Sequence, residues 1–178
     1  MSDLLKNMIR FAAFILVQVF ILHKIPPLHR FVVPYIYFLY IIWLPFSISR
    51  TWLMVIAFVF GLTLDYFLGT PGLHAAPCVL IAYVRPFLVN MLIRQESTEQ
   101  SYGSPSIHSM GWAPYGLLVF VLTLLHHSYL VALEWLQFKE SFFYFVGKVL
   151  ASTAVSMVLI LVTELLFYRK ERYRTNAA

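Results

Sequence analysis

The residues of this sequence that could do chemistry are ionisable side chains inside long apolar runs: Asp65, Arg85, Glu134, Lys148 and Glu164. A charge in the hydrocarbon core of a bilayer costs several kcal/mol unless it is paired, hydrated or able to reach the surface. Residues of this kind bind ions or substrates, relay protons, or hold helices together through buried pairs. These five residues are therefore predicted as a candidate intramembrane polar cluster.

Depth along the apolar runs indicates which of the five can meet, at about 1.5 Å of helical rise per residue. Asp65, Lys148 and Glu134 fall in the same outer part of the membrane, so we expect them to lie together. Arg85 lies roughly 15 Å deeper than Asp65, which excludes that pair, but it can reach toward Glu164. The alternatives are that Asp65 stays hydrated at a helix end, that Arg85 extends to the inner surface, and that both glutamates are interfacial.

The adjacent His126 and His127 could suggest a metal site or a proton relay. Neighbouring residues on a helix point about 100° apart, which is not the one-face spacing of a helical metal site. The sequence also lacks a phosphate-binding loop, a nucleophile elbow and a zinc-protease motif. We therefore expect no catalytic residues, no metal and no cofactor, and the chain is predicted not to be an enzyme.

The elements that must position these side chains are transmembrane helices. Hydrophobic residues make up 61% of the chain and charged residues 12%, against about 45–50% and about 25% in soluble domains. The 178 residues, at roughly 20 per span, allow five or six spans and no separate soluble domain. The prediction is an all-α polytopic membrane protein forming one domain over residues 1–178.

Six apolar runs, separated by prolines, glycines or polar stretches, are predicted as helices at about 4–22, 31–46, 51–68, 73–93, 112–136 and 142–168. Residues 95–110 are predicted as a polar, flexible loop and 169–178 as a basic tail. The positive-inside rule places this tail in the cytoplasm. Six spans then place Lys6 and Arg10 on the same side, whereas five would leave them outside, so both termini and the 95–110 loop are predicted to be cytoplasmic. The basic residues thus follow membrane topology and do not indicate nucleic-acid binding.

Residues 58–74, with the sequence FVFGLTLDYFLGTPGLH, form the most specific motif. It resembles the hallmark of the MreD family of rod shape-determining proteins, in which an apolar helix ending in F-x-x-G-L-x-x-D is followed by a short Gly-rich turn and a second apolar helix. Chain length, the predicted spans and the basic tail fit the same family. The motif residues in this sequence are Phe58, Gly61, Leu62, Asp65, Gly69, Pro71 and Gly72.

The residue types of the motif predict a close helical hairpin with one polar anchor. Gly61 and Gly69 lack side chains and would allow a neighbouring helix to approach. Asp65 follows Gly61 by one turn and shares its face. Gly72 can adopt the backbone angles of a tight turn.

The resemblance implies a non-enzymatic scaffold of the bacterial inner membrane that binds the single-pass protein MreC. Further implied partners are the actin-like MreB, the glycosyltransferase RodA and a transpeptidase, which together direct lateral peptidoglycan synthesis and cell shape. The family's fold is similar to the substrate-binding subunits of energy-coupling-factor vitamin transporters. The alternative is therefore a transport subunit, whose outer-half pocket would be lined by Asp65, Lys148 and Glu134.

Overall fold

A computed structural model describes residues 3–24, 32–93, 103–138 and 141–167. The regular structure in these ranges is helical. The helices are α1 (Asp3–Leu16), continued by a π-helical stretch (Val17–Ile21) and a 3-10 turn (Leu22–Lys24), then α2 (Leu39–Ile42), α3 (Arg50–Leu68), α4 (Ala75–Leu92), α5 (Ile107–Met110), α6 (Trp112–Phe138) and α7 (Phe142–Leu166).

Five of the described helices are long and apolar enough to cross a membrane, namely the one spanning Leu4–Lys24, then α3, α4, α6 and α7. They pack in sequence order, α3 against α4, α4 against α6, and α6 against α7. Their outward faces are apolar, as expected of helices solvated by lipid. We call the end of the bundle where α1 and α3 begin the near end, and the other the far end.

The second predicted helix, 31–46, is wrong as a continuous helix. Within its described part, residues 32–36 have no regular secondary structure, and helical turns begin only at Ile36, with α2 limited to Leu39–Ile42. The N–H groups of Val33 and Tyr35 bond to α7 while the Pro34 carbonyl and the Ile36 N–H bond to Gln18, and this alternation indicates an extended backbone. Pro34 has no N–H to donate and disfavours helical angles at the residue before it. We call residues 32–44 the buried segment, because side chains 35–44 are all buried.

The buried segment runs antiparallel to α1. Gln18 contacts its beginning at Pro34, Phe11 packs edge-on against Tyr40, and Phe14 packs against Trp43. The segment thus carries the chain from the far end to the near end inside the bundle. Non-helical backbone at membrane depth is tolerated only where protein surrounds it, and that condition is met here. Consequently α1 begins and α7 ends at the same, near end.

The loop predicted at 95–110 is not flexible throughout. From Gly103 onward it is described, and the Gly103 carbonyl accepts a hydrogen bond from the backbone N–H of Phe46 at 3.0 Å. Ser106 and Ser109 form a reciprocal capping box at the start of α5, which satisfies helix-end N–H groups without water. This part of the loop is therefore folded against the near end, and residues 94–102 lie outside the described ranges.

Candidate functional site: a polar core inside the helical bundle

The motif at 58–74 builds the hairpin between α3 and α4. A Cβ added at Gly61 would lie 2.8 Å from the Ala75 nitrogen and 3.0 Å from the His74 oxygen, so the two helices touch at backbone distance. Gly69 does not have the predicted contact role, since no atom of the described residues lies within 4 Å of its added Cβ. Its φ of +68° ends α3 in the left-handed conformation, and Gly72, at φ +83°, adopts the turn geometry that the sequence predicts.

Asp65 closes this hairpin with its side chain. One carboxylate oxygen accepts from the backbone N–H of His74 at 2.9 Å and from the Thr70 hydroxyl at 3.1 Å. The other accepts from the backbone N–H of Ala75 at 3.0 Å. The carboxylate therefore caps the amino end of α4, where unpaired N–H groups and the helix dipole favour a negative charge.

Asp65 also binds an imidazole. His74 Nδ1 lies 2.9 Å from the same carboxylate oxygen, and a carboxylate only accepts, so Nδ1 carries the proton in this contact. Asp65 and His74 are each about 3% exposed. Asp65 is thus neither a hydrated helix-end residue nor a partner of Lys148, and the sequence reasoning missed His74 altogether.

A cluster of aromatic rings continues inward from His74. Tyr35, on the buried segment, places its ring centroid 5.9 Å from His74, 6.2 Å from His126 and 5.7 Å from His127. The Tyr37 hydroxyl lies 2.7 Å from His126 Nε2. We call these five residues the tyrosine–histidine cluster.

His126 and His127 serve two different neighbours, as their helix positions predict. His126 bonds to the buried segment through Tyr37 and stacks on Phe38 at 4.5 Å between centroids. His127 Nδ1 lies 2.8 Å from the Thr123 carbonyl, which can only accept, so this nitrogen carries the proton. Its Nε2, 3.1 Å from the Ser156 hydroxyl, is then the acceptor when the ring is neutral.

The extended part of the buried segment is held by side chains of α7. Ser152 accepts from the backbone N–H of Val33, and Ser156 accepts from that of Tyr35, each at 3.2 Å. These serines are four residues apart and share one face of α7. The four-residue spacing of the two serines could have indicated a polar face on α7. It could not have indicated that this face binds the backbone of a segment far away in the sequence.

Gln18 supplies the matching contacts from the π-helical stretch after α1. Its Nε2 donates to the Pro34 carbonyl and its Oε1 accepts from the Ile36 N–H, both at 3.2 Å. Gln18 is 1% exposed. The sequence reasoning missed this residue, and its only signal is an amide inside an otherwise apolar span.

Arg85 holds the other end of the buried segment. Its Nε donates to the Ile42 carbonyl at 3.2 Å and its Nη2 donates to the Leu44 carbonyl. These carbonyls lie at the end of α2, where the helix leaves acceptors unpaired. Arg85 is 3% exposed, so it does not extend to the membrane surface. Nor does it hydrogen-bond to Glu164, which the sequence suggested as its partner. Instead it caps a short buried helix.

Glu164 is bound by two aromatic side chains near Arg85. The Trp43 indole nitrogen donates to its carboxylate at 2.6 Å, and the Tyr115 hydroxyl donates to the same oxygen. Arg10 approaches the Trp43 ring at 5.7 Å from its centroid. Glu164 is buried and joins α6 and α7 to the buried segment.

Glu134 and Lys148 form the ion pair that joins the far parts of α6 and α7. Their side chains remain 22% and 13% exposed. Asp65 takes its hydrogen bonds from the hairpin, so the predicted cluster of five divides into separate sites. The Asp65 anchor, the Arg85 cap, the Glu164 contacts and the Glu134–Lys148 pair each tie two or more elements together.

We call the buried polar residues described above the polar core. Their chemistry is suited to binding backbone N–H and C=O groups that helices leave unpaired. Most of its described hydrogen bonds join a side chain of one helix to the backbone or side chain of another element. Among the residues that the structure describes, no group of three histidine, cysteine, aspartate or glutamate side chains could hold a metal ion. The arrangement thus fixes a non-helical passage and a tight hairpin inside a membrane bundle.

A comparison with protein-family models gave no match, and neither the curated proteins nor the solved structures gave one.

Proposed function

We propose that this chain is a non-enzymatic scaffold of the bacterial cell-elongation complex and binds the transmembrane helix of MreC. The resemblance at residues 58–74 supplies the family, and the geometry of the same residues supports the role. Gly61 and Asp65 face inward and fix the hairpin, whereas Phe58 and Leu62 face outward with exposures of 49% and 41%. A rigid hairpin that presents apolar side chains to the membrane is a suitable surface for a partner helix.

The proposal rests on this separation of the motif into inward-facing and outward-facing residues. Asp65 is buried, so it does not contact a partner directly and would act on binding only through the hairpin. Pro71 and Gly72 are exposed in the turn at the far end. The outward pair, Phe58 and Leu62, is therefore the part of the motif that meets MreC.

Within the bacterial inner membrane, the near end faces the cytoplasm. The basic sequence Arg169–Arg174 follows α7, which ends at the near end, and Lys6 and Arg10 lie at the start of α1. The positive-inside rule then sets the orientation, with both termini cytoplasmic and the buried segment as the sixth passage. MreB would meet this face, and RodA and the transpeptidase would join through the assembled complex.

The transport alternative receives less support from the polar core. Transporters with broken helices direct the free helix ends at a substrate or coupling ion. Here Gln18 and Arg85 bind the backbone at the two ends of the buried segment. Asp65, Lys148 and Glu134 were expected to line one pocket, but Asp65 closes the hairpin while the other two pair with each other.

Affinity purification of the tagged chain from native membranes, with partners identified by mass spectrometry, tests the proposal. We expect MreC and wall-synthesis proteins, whereas enrichment of an ATPase module would favour the transport alternative. The double variant Phe58→Ala/Leu62→Ala should lose MreC and keep its thermal stability. The matched control is Leu161→Ala/Leu165→Ala, which removes two exposed leucines of α7 and should retain MreC.

A further inference from the structure

Residues 34–36 are extended although helical turns follow them directly. Backbone bonds typical of helical turns already run from the Ile36 carbonyl to the Leu44 N–H. Proline is well suited to the first position of a helix because its missing N–H is not needed there. A helix beginning at Pro34 would therefore add only three residues to the turns that exist.

Gln18 competes with that helix for the Pro34 carbonyl. In an α-helix this carbonyl would accept from the N–H of Phe38, four residues on. In the structure Gln18 Nε2 donates to this carbonyl instead, while Gln18 Oε1 accepts from the Ile36 N–H. One amide thus binds a C=O and an N–H two residues apart, as a neighbouring β-strand does.

The helix geometry just after α1 is also irregular at Gln18. Gln18 lies in the π-helical stretch Val17–Ile21, and single π-turns within α-helices occur frequently at functional sites. Gln18 is also buried in the bundle, where a polar side chain costs free energy unless it is hydrogen-bonded. Its two contacts with the buried segment meet that requirement.

We propose that Gln18 is the latch of a conformational switch, in which Pro34–Ile36 change from extended to helical when Gln18 releases them. The Pro34 carbonyl is hydrogen-bonded in both states, to Gln18 in one and to the backbone in the other, so the switch does not strand it in a low-dielectric interior. The change shortens these three residues by about 5 Å in total, from about 3.3 to about 1.5 Å per residue.

The switch would act on the rest of the polar core through Tyr35. In the extended state its N–H binds Ser156 and its ring packs against His74 and His127. A helical Tyr35 must leave these positions, because the backbone rotation per residue changes from about 180° to about 100°. The state of residues 34–36 is thereby coupled to α7 and to the Asp65 hairpin. This inference concerns the chain itself and does not depend on MreC.

Nuclear magnetic resonance can observe the switch at one residue. Ile36–Tyr37 is the only Ile–Tyr step in the sequence, so ¹³C-labelled isoleucine combined with ¹⁵N-labelled tyrosine selects the Ile36 signal. In the full chain in lipid nanodiscs, the Ile36 Cα shift should be that of extended backbone. Gln18→Leu keeps a side chain of similar size without the amide, and its Ile36 Cα signal should move to the helical range.

Thr123→Val is the matched control, because it removes another buried polar group of the core and should leave Ile36 extended. A folded Gln18→Leu protein whose Ile36 stays extended would overturn the proposal. If that variant does not fold, Gln18→Met decides, since it keeps an unbranched side chain of similar length without the amide. A helical Ile36 population in Gln18→Met would support the switch, and a wholly extended one would contradict it.

Discussion

Replacing Asp65 by asparagine removes one hydrogen-bond acceptor and the negative charge from the hairpin while leaving the shape of the side chain almost unchanged. Both carboxylate oxygens of Asp65 accept a backbone N–H, one from His74 and one from Ala75. An asparagine has only one oxygen, so in either orientation its NH₂ group faces an N–H donor. One N–H at the amino end of α4 is then left without an acceptor inside the bundle.

The cost follows from the number of hydrogen bonds affected. A buried donor left unsatisfied costs about 1–3 kcal/mol, and a hydrogen bond to a charged group exceeds a neutral one by about 1 kcal/mol. Oδ1 alone accepts from the Thr70 hydroxyl and from the backbone and ring of His74. We therefore expect Asp65→Asn to lower the free energy of unfolding by about 3 kcal/mol, roughly a hundredfold in the equilibrium constant.

Unfolding in mixed micelles by titration with sodium dodecyl sulfate, followed by far-ultraviolet circular dichroism, measures this difference. The control is Glu134→Gln, the same carboxylate-to-amide change in a partly exposed ion pair. Lys148 can still donate to the glutamine oxygen, so the control should lose no more than about 1 kcal/mol. An Asp65→Asn protein as stable as the wild type would refute the assignment of Asp65 as a backbone anchor.

Three further substitutions test other contacts of the bundle by the same titration. Gly61→Ala should cost about 1–3 kcal/mol because its Cβ overlaps the backbone of α4. Gly116→Ala, whose Cβ would have no atom of the described residues within 4 Å, should be neutral or slightly stabilising. Equal effects of the two substitutions would contradict the close approach at Gly61. Arg85→Leu leaves two carbonyls at the end of α2 without their donor and should cost at least about 2 kcal/mol, so a stable variant would argue against the cap. Thr123→Val removes a buried hydroxyl that has no partner among the described residues and should stabilise the chain by about 1 kcal/mol. A clear loss of stability would mean that this hydroxyl is hydrogen-bonded.

Much of the bundle was predictable because the signals are local. Residues 51–68, 112–136 and 142–168 were predicted as helices, and the structure places helices at Arg50–Leu68, Trp112–Phe138 and Phe142–Leu166. A helix satisfies its own backbone hydrogen bonds, so an apolar run of sufficient length bounded by turn residues specifies it without reference to the rest of the chain. The same holds for the hairpin turn, since the positive φ angles of Gly69 and Gly72 are local properties of glycine.

The pairing of the polar residues was not predictable in the same way. The depth of Asp65 along its helix was compatible with a contact to Lys148. Depth alone, however, does not reveal which helices are neighbours. The hairpin between α3 and α4 was predicted, but not that the Asp65 carboxylate is fully used within it by His74 and Ala75. Glu134 meets Lys148 because α6 and α7 lie side by side.

The sequence by itself indicated a polytopic membrane protein and a tight turn at residues 58–74. It also located the five long helices of the described residues, together with a sixth that the described residues do not form as a continuous helix. Only the tertiary structure decided that residues 32–44 cross the bundle without forming a full helix. Extended backbone needs partners from elsewhere, and here they come from the π-helical stretch after α1 and from α7, through Gln18, Ser152 and Ser156. These residues are far apart in sequence, so their convergence depends on how the helices pack and is not encoded in any local pattern.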